Sequence, residues 1–337
     1  MFNNLSGGIT VKKSAILMLV MAVGLTVAAC SQKPTEESKP ALDYPKRAIE
    51  IVVPFGPGGS ADIMTRQVAN LMGNYVDKPV NVVNKAGGGG VDGMVYVAQA
   101  PADGYTILQI TPSHAIAEAL SRPNANLSGD FEPIANFQKD IQVFGVAKDS
   151  PINTLEDLIA YAKANPGKLK IGGTSPGGLD DYMANGFAEA AGIELTYVPY
   201  NSASETKAAA LGGEIDIYQD KVISFLTMVQ SREIKPIVVL HDEKLSMIPE
   251  LKDTPCTVEK NIDFTQGSWR GFAVKKGTPQ EVKDYLTEVI EKVYNSTEYV
   301  DASKKDMSNI IPGYIGQKEY GEMWVKEIAK FKAILAK

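Results

Sequence analysis

The sequence predicts an α/β protein whose mainly parallel, doubly wound sheet is shared between two lobes facing each other across a hinged cleft. Three observations predict it. Short β-branched strands alternate with helical stretches, glycine-rich loops lead from strand to helix, and the same strand–loop–helix grammar restarts in the second half of the chain. At 337 residues, 44% hydrophobic and 22% charged, the chain has globular composition and the length of roughly two domains of about 150 residues each. Its formal net charge of −6 argues against a nucleic-acid binder, which shows a basic excess or a basic face. Two cysteines, Cys30 and Cys256, and two histidines, His114 and His241, are too few for a disulfide framework or a zinc site, so no metal and no cofactor is expected.

Lys12 and Lys13 precede an apolar run from Ala15 to Ala29, shorter than the ~20 residues a spanning helix needs. It reads as a secretory segment. The run ends in Val27-Ala-Ala-Cys30, which resembles a bacterial lipobox, so residues 1–30 are expected to be a lipoprotein signal peptide with Cys30 the lipidated residue. Residues 31–43 lack apolar periodicity and read as a linker. These features predict an extracytoplasmic protein, lipid-anchored to the cell envelope on its periplasmic or cell-surface side. Cys256 reads as a small packing residue.

The body starts near Tyr44. Ala48-Ile-Glu-Ile-Val-Val-Pro54 is a strand, Phe55-Gly-Pro-Gly-Gly-Ser60 a glycine loop, and Ile63, Val68, Leu71 and Met72 fall at helical spacing. Pro79–Val83, then Asn84-Lys-Ala-Gly-Gly-Gly-Gly90 and a helix from about Asp92 to Ala100, repeat the unit. Tyr105–Ile110 is a third strand ending in Thr111-Pro-Ser-His114. After a strand at Gln142–Ala147, Thr154-Leu-Glu-Asp157 has capping-box spacing, and Lys168–Ile171 runs into a second glycine loop, Gly172-Gly-Thr-Ser-Pro-Gly-Gly178. Strands are expected at Glu194–Val198, Glu214–Tyr218 and Ile234–Leu240, with a helix capped by Ser202. Gly271–Val274 is a last strand, and helices from about Pro279 and Lys318 finish the chain. If Val143–Ala147 and Phe272–Val274 are the crossings, the chain leaves one lobe, builds a second and returns. The lobes are then 44–143 with 272–337, and 144–271.

Two motifs suggest enzymes. Gly56-Pro-Gly-Gly-Ser-Ala61 fits the dinucleotide-binding pattern, but the strand that should end in a ribose-binding acid ends in Val83-Asn-Lys85, and Pro57 removes an N–H that would approach a pyrophosphate. Gly173-Thr-Ser-Pro-Gly177 fits the nucleophile elbow of a hydrolase, with Asp216 or Asp220 and then His241 in the right order. There the residue after Ser175 is Pro176, so an oxyanion-hole donor worth ~2.7–4 kcal/mol is missing. The loops have another use as they stand. Glycines let an anion approach the unsatisfied N–H groups and partial positive charge of a helix N-terminus, so two such loops, one per lobe, can clasp a carboxylate without a basic patch.

Several segments then agree in order with one family. They are Tyr44–Asp62, Val83–Gly90, Asp103-Gly-Tyr-Thr-Ile-Leu108, Ala162–Leu169, Val198-Pro-Tyr-Asn201, Leu211-Gly-Gly-Glu-Ile-Asp216 and Trp269-Arg-Gly-Phe-Ala-Val274. From Tyr44 onward the chain resembles the extracytoplasmic solute receptors of the tripartite tricarboxylate transporter system, the Bug family. The resemblance implies a two-lobe type II periplasmic-binding-protein fold, no catalysis, and delivery of a small carboxylate to a membrane permease. It implies ligand contacts from Phe55, Gly58, Gly59, Ser60 and Asp62, from Thr111 and Ser113, from Thr174, Ser175, Gly177 and Gly178, and from Asp216. Alternatives are a receptor for a neutral or zwitterionic solute, or a serine hydrolase using Ser175. Where many members carry serine and histidine, this chain reads Gly178-Leu-Asp180-Asp181. Those acids either point inward, against a tricarboxylate, or outward, complementing the helix N-terminus, which is the expectation adopted. Arg270 is a candidate partner for a second carboxylate or a member of an ordinary ion pair.

Overall fold

The computed structural model describes residues 42–335 except 125 and 175. The expected signal peptide, the lipidated Cys30, nearly all of the linker and the candidate Ser175 lie outside the described residues. The described residues from Asp43 onward form one compact body.

Its first half begins with β1 (Ile49–Val53), α1 (Ser60–Met72), β2 (Val80–Asn84), α2 (Val91–Gln99), β3 (Thr106–Ile110) and α3 (Pro112–Ala119). A long strand, β4 (Phe131–Ala147), leads into α4 (Leu155–Ala164), β5 (Lys170–Thr174), α5 (Leu179–Ala191), β6 (Thr196–Tyr200) and α6 (Ala203–Leu211). Then come β7 (Ile217–Lys221), α7 (Val222–Gln230), β8 (Ile234–Val239) and β9 (Gly267–Lys275), and the chain closes with α8 (Gln280–Tyr294), α9 (Thr297–Lys305) and α10 (Gln317–Leu335). The local causes are legible. Thr154 Oγ1 accepts from the Asp157 N–H at 3.1 Å while Asp157 accepts from the Thr154 N–H at 3.0 Å, so the expected capping box starts α4. Gly192, at φ +63°, ends α5 in the left-handed conformation that favours glycine.

The strands run β2-β1-β3-β9-β4-β7-β5-β6, with β8 on β4 beside that path. This is an α/β, two-lobe fold built on a curled sheet, and β4 joins its halves. Phe131 to Ile141 pair with β9, whereas Gln142 to Val146 pair with β7 and Val143 to Ala147 with β8. The strand is therefore much longer than the Gln142–Ala147 segment its apolar residues suggested. Phe272–Val274 also differs from expectation: it pairs with Glu132 to Ala135, deep in the first half of the sheet, so the return between halves is complete before Gly267. On either side of the change, apolar side chains fix the halves: Ile51, Val68, Phe137, Phe272 and Leu286 in one cluster, Val143, Ile215, Phe225 and Leu251 in another. Each fully buried side chain of this size contributes about 1.5–3 kcal/mol.

Register sets up the site. Ile110 lies opposite Gly271, which brings Thr111 beside Arg270. Along β4, Gln138 opposes Arg270, Asp140 opposes Ser268 and Gln142 opposes Lys221. With a strand period of two, these three polar residues share one face of β4.

Candidate functional site

Between the halves lies a cavity of about 60 Å³, well below the ~300–1,000 Å³ of sites that take drug-sized ligands. That suits a ligand of few heavy atoms. One wall carries Phe55, Gly59, Ser60, Thr111, Ser113, Ser268 and Arg270; the other carries Thr174, Asp180, Ser202, Thr206, Gln219, Asp220 and Lys221. The walls touch. Leu179, the first residue of α5, donates its N–H to Ser113 Oγ at 3.1 Å, and Ser204 Oγ lies 3.5 Å from the Pro57 carbonyl. A Cβ at Gly56 would lie 2.8 Å from Ser202 Cβ, so the glycine permits this approach.

The two glycine loops share one device. Gly58, at φ +82°, donates its N–H to Asp62 at 3.0 Å, and Gly177, at φ +63°, donates to Asp181 at 2.6 Å. In each loop a left-handed glycine is pinned by an acid four residues on. Asp62 is also held by Arg66 Nε at 3.1 Å and Asn84 Nδ2 at 2.9 Å, and Asn84 reaches the Phe55 carbonyl at 2.9 Å. Burial opposes the Asp62 charge, but these donors outweigh it and hold the carboxyl below its usual range. Asp62 therefore shapes the first loop and does not line the cavity. The N-cap of α1, Gly59, makes no side-chain capping bond, so the first turn of that helix faces the cavity without a side-chain cap.

The third glycine loop works differently. Arg122 Nη1 donates to the Gly88 carbonyl at 3.3 Å and Nη2 to the Pro176 carbonyl at 2.7 Å, so this guanidinium ties the Ala86–Gly90 loop to the second glycine loop.

Charge enters from the strands. Arg270, 1% exposed, donates from Nη1 to Gln138 Oε1 at 2.9 Å and Asp140 Oδ2 at 3.1 Å, and from Nη2 to Ser60 Oγ at 2.7 Å. Three of the five guanidinium donors are thus engaged within the protein. On the opposite wall Lys221 Nζ pairs with Asp180 Oδ1, and Asp180 Oδ2 accepts from Thr174 N at 2.9 Å and Thr174 Oγ1 at 2.7 Å. Burial alone would raise the Asp180 carboxyl; Lys221 and Thr174 reverse this and hold it below the usual range. Asp220 accepts from Tyr218 Oη at 2.9 Å and from the Lys221 N–H at 2.8 Å, yet burial pushes its carboxyl up.

The structure thus brings Phe55, Gly59, Ser60, Thr111, Ser113 and Thr174 to one cavity. Gly58, Gly177 and Gly178 sit in the flanking loops without lining it. Asp216 does not reach it: the side chain is exposed and accepts from the Lys170 N–H at 2.8 Å, bracing the start of β5. Asp180 turns inward against expectation, because Thr174 and Lys221 offer it donors, while Asp181 turns to its own loop. Gln219, Asp220, Lys221 and Ser268 were missed as site residues. The signal for Gln219, Asp220 and Lys221 was the polar, charged end of β7; Ser268, on β9, carried none.

A model of the tripartite tricarboxylate transporter family receptor matches residues 64–337. The chain belongs to that family. A curated relative of this receptor, the UPF0065 protein in the gbd 5′ region of Cupriavidus necator, is 29% identical over 87% of this chain and 88% of its own length. The solved periplasmic binding protein BugD superposes with a TM-score of 0.79 at 25% identity, covering 87% of this chain and 98% of that one. An R. palustris protein solved with adipate shares the fold, with a TM-score of 0.80 at 24% identity over 87% and 97% of the two chains. The matched region of the receptor begins after the first glycine loop and includes every charged residue that lines the cavity.

Proposed function

We propose that this receptor captures a small organic acid in the cavity between its lobes and hands it to a membrane permease of the tripartite tricarboxylate type. One observation carries the reading: the uncapped first turn of α1 meets Ser60 Oγ and the Arg270 guanidinium at a single wall of the cavity. Helix N–H groups, a hydroxyl and a guanidinium with two unused donors are together a carboxylate site. Gly59, Ser60 and Arg270 bind the acid, Thr111, Ser113 and Thr174 surround it, and Gly58, Asp62, Gly177 and Gly178 hold the loops in shape. The lobes change over at Ile141–Gln142 on β4 and ahead of Gly267 on the return, and closure between them presents the surface that the permease reads.

Binding without chemistry is the role. Ser175 precedes Pro176, which has no N–H to stabilise an oxyanion. The protein is extracytoplasmic and held to the envelope by lipid on Cys30, with 31–43 as the tether. Among the described residues no helix is long and apolar enough to cross a membrane. Thermal melting of the full-length protein with millimolar mono-, di- and tricarboxylates tests the binding role: at least one acid raises the melting temperature, and stabilisation by none of them refutes it. Incorporation of labelled palmitate, lost in Cys30→Ala, tests the anchor.

A further inference from the structure

We propose that the acid also carries a cationic amino group, so that the ligand is amphoteric, with its carboxylate at the Ser60–Arg270 wall and its ammonium at Asp220. The inference rests on the carboxylate-receptor reading and narrows the ligand class.

The buried charges at the cavity do not balance. Two carboxylates on the lining, Asp180 and Asp220, and a third behind Arg270, Asp140, stand against two cations, Lys221 and Arg270, and all five residues are at most 9% exposed. Two of the acids are matched. Asp140 pairs with Arg270 at 3.1 Å, and Asp180 takes the Lys221 ammonium. Asp220 is left over: it is 5% exposed, lines the cavity, and among the described residues no cation lies within ion-pair distance of it. Its neighbours nevertheless treat it as an anion. Oδ2 accepts from Tyr218 Oη and Oδ1 from the Lys221 N–H, and an ionised carboxylate has lone pairs to spare for a further donor.

An isolated buried carboxylate is costly unless something positive joins it. A simple diacid would add its second charge to this surplus and be repelled. A ligand ammonium would instead complete the set, matching Asp220 while the ligand carboxylate uses the two Arg270 donors that Gln138, Asp140 and Ser60 leave free. The same wall supplies a neutral acceptor for another ammonium hydrogen, Ser202 Oγ, which takes one internal bond, from the Glu205 N–H at 3.2 Å, and keeps a second lone pair.

Calorimetric titration of the full-length protein with matched pairs tests this: L-aspartate against succinate, L-alanine against propionate, and 4-aminobutyrate against butyrate. The amino member of at least one pair is expected to bind about tenfold or more tightly than its partner, as close charge pairs at interfaces allow. Asp220→Asn, which keeps the shape and removes the charge, should shrink that preference to about threefold or less, with ligand-free melting as the check that it folds. Equal or tighter binding of the unsubstituted acids by the wild type overturns the inference and leaves the carboxylate receptor standing. Binding of no acid in either set overturns both, and preference unchanged in a folded Asp220→Asn removes Asp220 from the role.

Discussion

Arg270 Nη2 donates to Ser60 Oγ at 2.7 Å, joining two residues 210 positions apart in the chain. The bond couples the last strand of the sheet to the first turn of the first helix. The same guanidinium neutralises Asp140, so its removal should unsettle the fold as well as the site. Arg270→Met leaves a buried acid without its partner and is expected to cost about 3–5 kcal/mol in urea denaturation, whereas Arg270→Met with Asp140→Leu should recover most of that loss. Neither variant should be stabilised by carboxylates. A single variant as stable as the wild type would show that Asp140 does not need Arg270.

On the other wall, Lys221→Met strands Asp180 in the same way. A loss of about 3–5 kcal/mol is expected, and adding Asp180→Asn should restore part of it because Thr174 can still donate to the amide oxygen. Guanidinium melts of the single and double variants measure the coupling. Purely additive losses would count against the pair.

Gly56 faces Ser202 across the cleft, where a Cβ would intrude at 2.8 Å. Gly56 has an ordinary backbone conformation, so Gly56→Ala should fold normally and melt within a few degrees of the wild type without ligand. It should still fail to bring the walls together, weakening carboxylate binding by about tenfold or more. Small-angle scattering with and without ligand would register the missing closure. An alanine variant that binds like the wild type would mean that the approach at Ser202 is not needed for capture.

His114 provides a pH test. Its Nδ1 accepts from the Thr111 N–H at 3.0 Å inside the capping box of α3, and burial drives its pKa down to about 4. Between about 6.5 and 4 the unfolded chain therefore binds a proton that the folded one refuses. Stability falls as pH falls through that window, by up to about 3 kcal/mol. Asp140 and Asp220, with raised carboxyl pKa values, act oppositely, since the folded state takes their protons first on acidification. The contrast with His114→Gln isolates the imidazole: the variant should lose less stability between pH 7 and 4. Parallel stability curves would refute this.

Much of the architecture was readable because it follows local rules. Apolar β-branched runs such as Ile49–Val53, the Thr154–Asp157 box and the left-handed Gly192 each announce their element. The glycine loops were readable for the same reason and pointed to Ser60 and Thr174, while Thr111 and Ser113 came from the family resemblance, at the end of the third strand. What stayed hidden depends on partners distant in sequence. The segment Gln138-Lys-Asp-Ile-Gln142 looks too polar for a buried strand, yet its alternate residues are satisfied by Arg270 and Gln219 from strands more than seventy positions away. Asp180 looked like a solvent-facing complement to a helix N-terminus. Only the fold supplies Lys221, 41 positions on, to draw it inward. Asp216, in contrast, looked placed for the cleft, but the backbone N–H of Lys170 claims its carboxylate first.

The shared device of the glycine loops has a practical corollary. Because Asp62 and Asp181 already occupy the N–H groups of Gly58 and Gly177, the rims of the cavity are self-contained parts whose shape depends on no ligand. The electrical character of the chamber resides elsewhere, at the ends of two strands. Anyone wishing to retarget the receptor can therefore leave both rims intact and begin at Asp220, which lines the cavity and, unlike Lys221, takes no part in holding the second rim.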